Sequence, residues 1–300
     1  TRVPSNIDNG QKQRLCDAVF EEHQGESLAS VVAFDLAASK RGVESTTIFG
    51  SPEVAMMTSE SLFLVSGAVN RSLIHHFKVE DRFGPPRYAG SGWVRDRVRD
   101  PFSLDLWNGH LRVVHGNSMA VFRIASSGSL EDVGHLVNLA PLESVRAVRF
   151  LGNRGYVVTY RVTDPLFVLD LSRPEHPRVT GQLELPGYST YLHPLDEHHL
   201  IGTGFFGRED SPGAVYGVGI QLFDVSDPEH PKRVQQAFID GSSPVQANHL
   251  AFSYWPSERV LAIPVNERRR APGSEAAVYL YDVSLPSKLR LRGVIRRAAE

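Results

Sequence analysis

Cysteine is all but missing from this chain. Cys16 alone among 300 residues has no partner for an internal disulfide, and its solitude excludes a cysteine zinc site or a C-x-x-C redox pair. An excess of one charge sign is missing as well. Thirty-two basic residues stand against 34 acidic ones, a net charge of -2, which is not the strongly basic balance of a nucleic-acid binder. Lysine is scarce, five against 27 arginines, a bias that coding composition explains without invoking function. Apolar runs stay far short of the ~20 residues a membrane helix needs. No P-loop, G-x-S-x-G elbow, H-E-x-x-H pair, Trp-Asp dipeptide or glycine fingerprint leading into a helix occurs. The first residue is Thr1 rather than Met, with no signal peptide or lipid-anchor motif, so the expectation is a processed or partial chain.

What is present is a repeat. A β-rich run ends in an aromatic or leucine, then a polar residue, then an aliphatic one. It reads Val31-Val32-Ala33-Phe34-Asp35-Leu36, then Leu73 to Val79, Met119 to Ile124, Leu166 to Leu171, Ile220 to Val225 and Val278 to Val283. The polar positions 35, 78, 123, 170, 224 and 282 are spaced by 43, 45, 47, 54 and 58 residues, room for four short strands with their turns, which is one propeller blade. Turns follow the anchors, clearest in Ser172-Arg173-Pro174-Glu175-His176-Pro177 and Ser226-Asp227-Pro228-Glu229-His230-Pro231. Proline fixes φ there and removes a ladder donor. Hairpins precede the anchors, as in Val145–Leu151 with Tyr156–Arg161, and Phe102–Leu106 with Leu111–His115 across Asn108-Gly109.

The pattern predicts an all-β propeller of four-stranded antiparallel blades. Five are complete, with third-strand anchors at Phe77, Phe122, Leu169, Phe223 and Tyr281, and a partial first blade surrounds Phe34. Residues 1–30 do not alternate like strands and carry a helix-like patch at Gln11–His23; blades occupy 31–300. Because an open blade edge recruits other chains, the expectation is a portion of a seven- or eight-bladed ring.

In such a blade the first strand lines the channel, while the second-to-third and fourth-to-first connections open on one face. Strand alternation puts Ser103 and Asp105, Ser144 and Arg146, Tyr191 and His193, and Asn248 with His249 toward the channel. Arg161 and Asp164 would pair at its rim. Two long connections, 204–217 and 266–276, are expected as loops, carrying Arg208 in one and Arg268 and Arg269 in the other. Their arginines can attract an acidic group, or the loops are simply solvated insertions. The channel residues can hold a ligand, or satisfy one another around trapped water. His193 to His199 reads as a turn, not a metal site, and no cofactor is expected. The aspartates at or near the strand ends (Asp35, Asp170, Asp224, Asp227, Asp282) are expected to accept backbone N–H groups.

Several segments are similar to one family. Arg161 to Leu171, Tyr191 to Asp196, His249 to Phe252 with Leu261 to Val265, and Phe102 to Asp105 with Gly109 to Val113 resemble the bacterial and archaeal secreted β-propeller domains distantly related to WD40 repeats. The resemblance runs from about Arg14 to Arg296. It departs at Asn248, where members tend to carry Asp, and at Arg95 to Asp100, where they tend to be Gly-rich. It implies an extracytoplasmic location and a longer part before this region, but no activity. The expected role is therefore non-catalytic binding or scaffolding of a protein or carbohydrate, on the face carrying 204–217 and 266–276. The alternative is a hydrolase or lyase acting on a polysaccharide or other polar substrate at the channel mouth.

Overall fold

Twenty-three strands and three 3-10 turns make up the computed structural model, which describes residues 27–33, 44–68, 70–79, 86–141, 143–160, 164–208, 210–268 and 274–296. The chain forms two compact units, Thr1–Gly134 and His135–Glu300. Cys16 and the Gln11–His23 patch lie outside the described residues.

In the first unit, β1 (Leu28–Ala33) and β2 (Glu44–Phe49) form a two-stranded sheet. A four-stranded meander follows: β3 (Pro52–Met57), β4 (Ser61–Ala68), β5 (Arg71–Lys78) and β6 (Arg87–Arg95). The next is β7 (Leu104–Trp107), β8 (His110–His115), β9 (Ser118–Ile124) and β10 (Leu130–Leu136), entered through a 3-10 turn, η1 (Pro101–Ser103). The second unit holds β11 (Ser144–Leu151), β12 (Arg154–Tyr160), β13 (Asp164–Asp170) and β14 (Arg178–Leu185), then β15 (Gly187–Pro194), β16 (His199–Arg208), β17 (Ser211–Asp224) and β18 (Lys232–Ile239). Its last sheet begins irregularly, with β19 (Gly241–Ser242), η2 (Pro244–Gln246), η3 (His249–Ala251) and β20 (Ser253–Trp255). It ends with β21 (Val260–Arg268), β22 (Ser274–Ser284) and β23 (Lys288–Arg296). Both β19 and β20 pair with β21, so they share the place of one first strand.

The anchors Phe77, Phe122, Leu169, Phe223 and Tyr281 all fall on third strands, as the repeat predicts. Middle strands are apolar on both faces, and β12 is buried from Gly155 to Thr159; fourth strands such as β18 alternate toward solvent. The reason is face-to-face stacking of neighbouring sheets. Val54, Phe63 and Ile74 meet Leu111, Val113 and Phe122 in the first unit. In the second, Tyr156, Val158 and Val168 meet Leu192, Leu200 and Phe223, while Ile220 and Ile239 meet Leu261, Ile263 and Tyr281. A fully buried Phe or Ile is worth about 1.5–3 kcal/mol, so these interfaces dominate the stability of each unit. Side chains cross them too: the Arg154 guanidinium donates to the Val225 carbonyl at 2.7 Å.

Two expectations change here. Residues 204–217 are not a loop, because β16 runs to Arg208 and β17 starts at Ser211. Residues 266–276 likewise carry the ends of β21 and β22. The stretched repeat spacings therefore go with lengthened hairpin strands. The second change concerns Asn248 and His249, which are not on a strand. Ser243 accepts from Val245 N while Gln246 Oε1 accepts from Ser243 N, and Pro244 sets the first turn position. Asn248 then accepts from Leu250 N and caps η3. These local bonds outcompete the ladder.

Candidate functional site

First strands in the second unit carry half-buried aromatic and basic side chains, and bulges decide which ones. Along β11, Val145 pairs with Thr159 and Ala147 with Val158, leaving Arg146 as the extra residue. Along β15, Thr190 is the extra residue between Ser189 and Tyr191. A bulge shifts the alternation and re-aims the side chain. Consequently Arg146 and Arg149 are both half-buried, as are Tyr188, Tyr191 and His193.

Near the root of the long β16–β17 hairpin, three rings stand in a row. Tyr160 and Tyr188 have centroids 4.4 Å apart, and Tyr188 and Phe205 are 4.9 Å apart. The Arg146 guanidinium carbon lies 5.3 Å from both tyrosine centroids, within cation–π range. The short β14–β15 connection sets this spacing. Gly187 has φ +80, and a Cβ there would strike the Gly207 amide, so only glycine fits.

Further along the same strands, Arg149 stands 5.2 Å from the Tyr191 centroid and its Nε donates to the Leu192 carbonyl at 2.8 Å. Tyr191 Oη and His193 Nδ1 are 3.3 Å apart. Tyr191 stacks with His249 at 5.9 Å, and His193 lies 4.9 Å from Phe252 and 5.7 Å from Tyr254. Burial, reinforced by the Arg149 charge, holds His193 below the ordinary imidazole value, so the ring is neutral at pH 7. The result is a strip of half-buried phenols, imidazoles and guanidiniums.

The other sequence candidates are placed differently. Asp105, on β7, faces Arg112 on β8, whose Nε donates to it at 2.9 Å. Ser103 is not on that strand; it sits buried in η1 with its hydroxyl on Asp100. Arg208 reaches Asp210 through Nε at 3.0 Å and Nη2 at 2.5 Å, so its charge is already met locally. Arg268 lies 3.9 Å from Asp240. Asp35, Arg161 and Arg269 lie outside the described residues, and Asp164 is the first residue of β13. Asp196 accepts from His198 N and bonds the His199 ring, closing a turn; no group of three or more metal-ligating side chains occurs among the described residues. Asp170, Asp224 and Asp227 accept from Ser172, Ser226 and Glu229 amides as expected, while Asp282 pairs with Arg290 instead. Alternation alone missed Arg149, Tyr160, Tyr188, Phe205, Phe252 and Tyr254. A bulge allowance on each first strand would have found Arg149 and Tyr188.

A family described as "Beta propeller domain" matches residues 3–300. The chain belongs to it. Its four-stranded sheets are propeller blades, and β1–β2 is a partial one. Two archaeal proteins described as uncharacterized are similar: one from Archaeoglobus fulgidus, 38% identical over 184 residues, and one from Methanocaldococcus jannaschii, 36% identical over 182 residues. The alignments cover 59% and 58% of this chain but only 28% of either relative. Among solved structures, the computationally designed protein Ika8 aligns with TM-score 0.49 at 9% identity, over 80% of this chain and 60% of that one. A Lactobacillus plantarum protein aligns with TM-score 0.43 at 13% identity, over 89% and 95%. Among the described residues of the propeller domain, no helix is long and apolar enough to cross a membrane.

Proposed function

We propose that this propeller domain is a non-catalytic recognition module, acting at or outside the cell envelope, whose ligand is a carbohydrate held along the first-strand strip. The supporting observation is the run from Phe205 through Tyr188, Tyr160 and Arg146 to Arg149, Tyr191, His193, His249 and Phe252. Aromatic surface packs on apolar sugar faces, while hydroxyl, imidazole and guanidinium groups meet the ring hydroxyls.

The test is calorimetric titration of the purified domain with neutral and acidic oligosaccharides, repeated with Tyr188→Ala and Tyr191→Ala. Binding that weakens at least tenfold in both variants supports the reading. Binding indifferent to both, or absent, ends it. If the domain instead cleaves an added polysaccharide, with the cleavage abolished in His193→Gln, the hydrolase or lyase reading replaces it. A second partner class is favoured by the lengthened hairpin itself. Val215 and Tyr216 on it, and Phe238 on the adjoining β18, are 37%, 40% and 47% exposed, an apolar patch suited to a protein surface. Polar substitutions at Tyr216 and Phe238 separate the two, because they weaken protein docking and leave sugar binding intact.

A further inference from the structure

We infer that Arg146 is a carboxylate subsite, so that the ligand of the proposed strip is an acidic sugar of the uronic type. The inference rests on the carbohydrate reading above and deepens it. Arg146 is unlike most arginines of this chain. Arg112, Arg178, Arg208, Arg290 and Arg296 each reach a carboxylate within the domain. Arg146 pairs with no acid among the described residues, and its Nε is shielded from solvent with no hydrogen-bond partner among them. A buried charged donor without a partner costs free energy; the residue as a whole is only half-buried, so the outer guanidinium N–H groups are the ones an incoming oxygen meets.

Geometry selects the anion. Arg146 projects from a bulge, and the Tyr160 and Tyr188 rings, both 5.3 Å away, hold its guanidinium in place. A guanidinium edge presents two parallel N–H groups that match the two oxygens of a planar carboxylate. The next arginine on the strand, Arg149, spends its Nε on the Leu192 carbonyl. A fork of two parallel N–H groups suits a planar carboxylate better than a tetrahedral phosphate or sulfate, which gathers donors from several sides. The ring row through Tyr188 and Phe205 continues from that point, which places apolar surface beside the charge, as a sugar ring bearing a carboxylate requires.

The experiment titrates the domain calorimetrically with trigalacturonate, with its methyl ester, and with a penta-glutamate peptide. The expected result is at least tenfold tighter binding of the acid than of the ester, a preference that shrinks with added salt and disappears in Arg146→Gln. The acid-against-ester comparison on the unaltered protein needs no variant to fold. Equal affinity for acid and ester overturns the inference but leaves the carbohydrate reading standing. No affinity for either sugar ends both. Arg146-dependent binding of the peptide, with the sugars inert, overturns the sugar acid in favour of a protein ligand.

Discussion

Arg112 and Arg146 both belong to blade hairpins near a first strand, both lie against aromatic rings, and they have opposite fates. Arg112 is 3% exposed, bonded to Asp105 directly across the β7–β8 pair, and 6.0 Å from Trp107. Burial alone lowers its pKa, and Asp105 counters that effect. Arg146 has the rings but no carboxylate among the described residues. The comparison separates a charge that the fold needs from a charge that the fold merely holds ready. A paired buried guanidinium is neutralised and silent toward ligands; one kept by cation–π contacts alone still has its hydrogen bonds to give.

The sharpest way to break this contrast is Asp105→Asn. The substitution keeps the shape and removes the counter-charge of a buried arginine, so unfolding free energy should drop by about 3 kcal/mol, the low end for a broken buried pair because Asp105 keeps some water. Urea denaturation measures it, and a loss below about 1 kcal/mol would make the pair dispensable. Arg146→Gln should cost no more than about 1 kcal/mol in the same assay, since it removes cation–π contacts and one orphan donor together. A loss as large as that of Asp105→Asn would assign Arg146 to the scaffold.

Histidines extend the comparison. In the first unit His76 is buried, with one ring nitrogen 2.7 Å from the Gly128 carbonyl, the other 3.0 Å from Ser61 Oγ, and its face on Phe63 at 4.7 Å. Burial, with Lys78 adding to it and the Gly128 bond opposing, lowers its pKa. His193 in the strip is lowered by burial and then Arg149. In both cases the unfolded chain takes up a proton first, at about pH 6.5. Their stabilisation is therefore complete above that value and falls as pH drops toward the folded pKa. Stability should decline as pH falls below about 6.5, and His193→Gln should flatten part of the slope. An unchanged slope would contradict the assignment. Asp170 and Asp224, held low by bonds from Ser172 and Ser226, act in a separate window. Their contribution is present above about pH 4 and fades below it.

Much of this was legible in the residues, for physical reasons that can be named. Third strands such as Leu166 to Leu169 are apolar and buried on both faces, so their recurrence gives the repeat away. The Asp105–Arg112 pair was also within reach. Asn108 and Gly109 both have positive φ, the two-residue turn that fixes register, and that register puts residue 105 opposite 112. The strip was hidden by its bulges, since strict alternation retains Arg146 and drops Arg149. The long hairpins were hidden by glycine. Gly204, Gly207 and Gly217 read as loop residues, yet they sit where strands cross so closely that a Cβ would meet backbone. The η2–η3 segment was lost because its bonds are made by side chains, Ser243, Gln246 and Asn248, not by a periodic pattern.

The smallest effect belongs to Arg208, at the tip of the lengthened hairpin. Read from sequence it is a cation awaiting an anion; in the fold it already forks onto Asp210, two residues away, with both side chains more than half exposed. A fully hydrated pair of this kind gains little Coulomb energy and loses side-chain freedom. Arg208→Ala should leave both the melting midpoint and the affinity for trigalacturonate unchanged within error. A loss of affinity without a loss of stability would mean that Asp210 releases the guanidinium to the ligand, and would move the acid-binding role from the bulge of β11 to the hairpin tip.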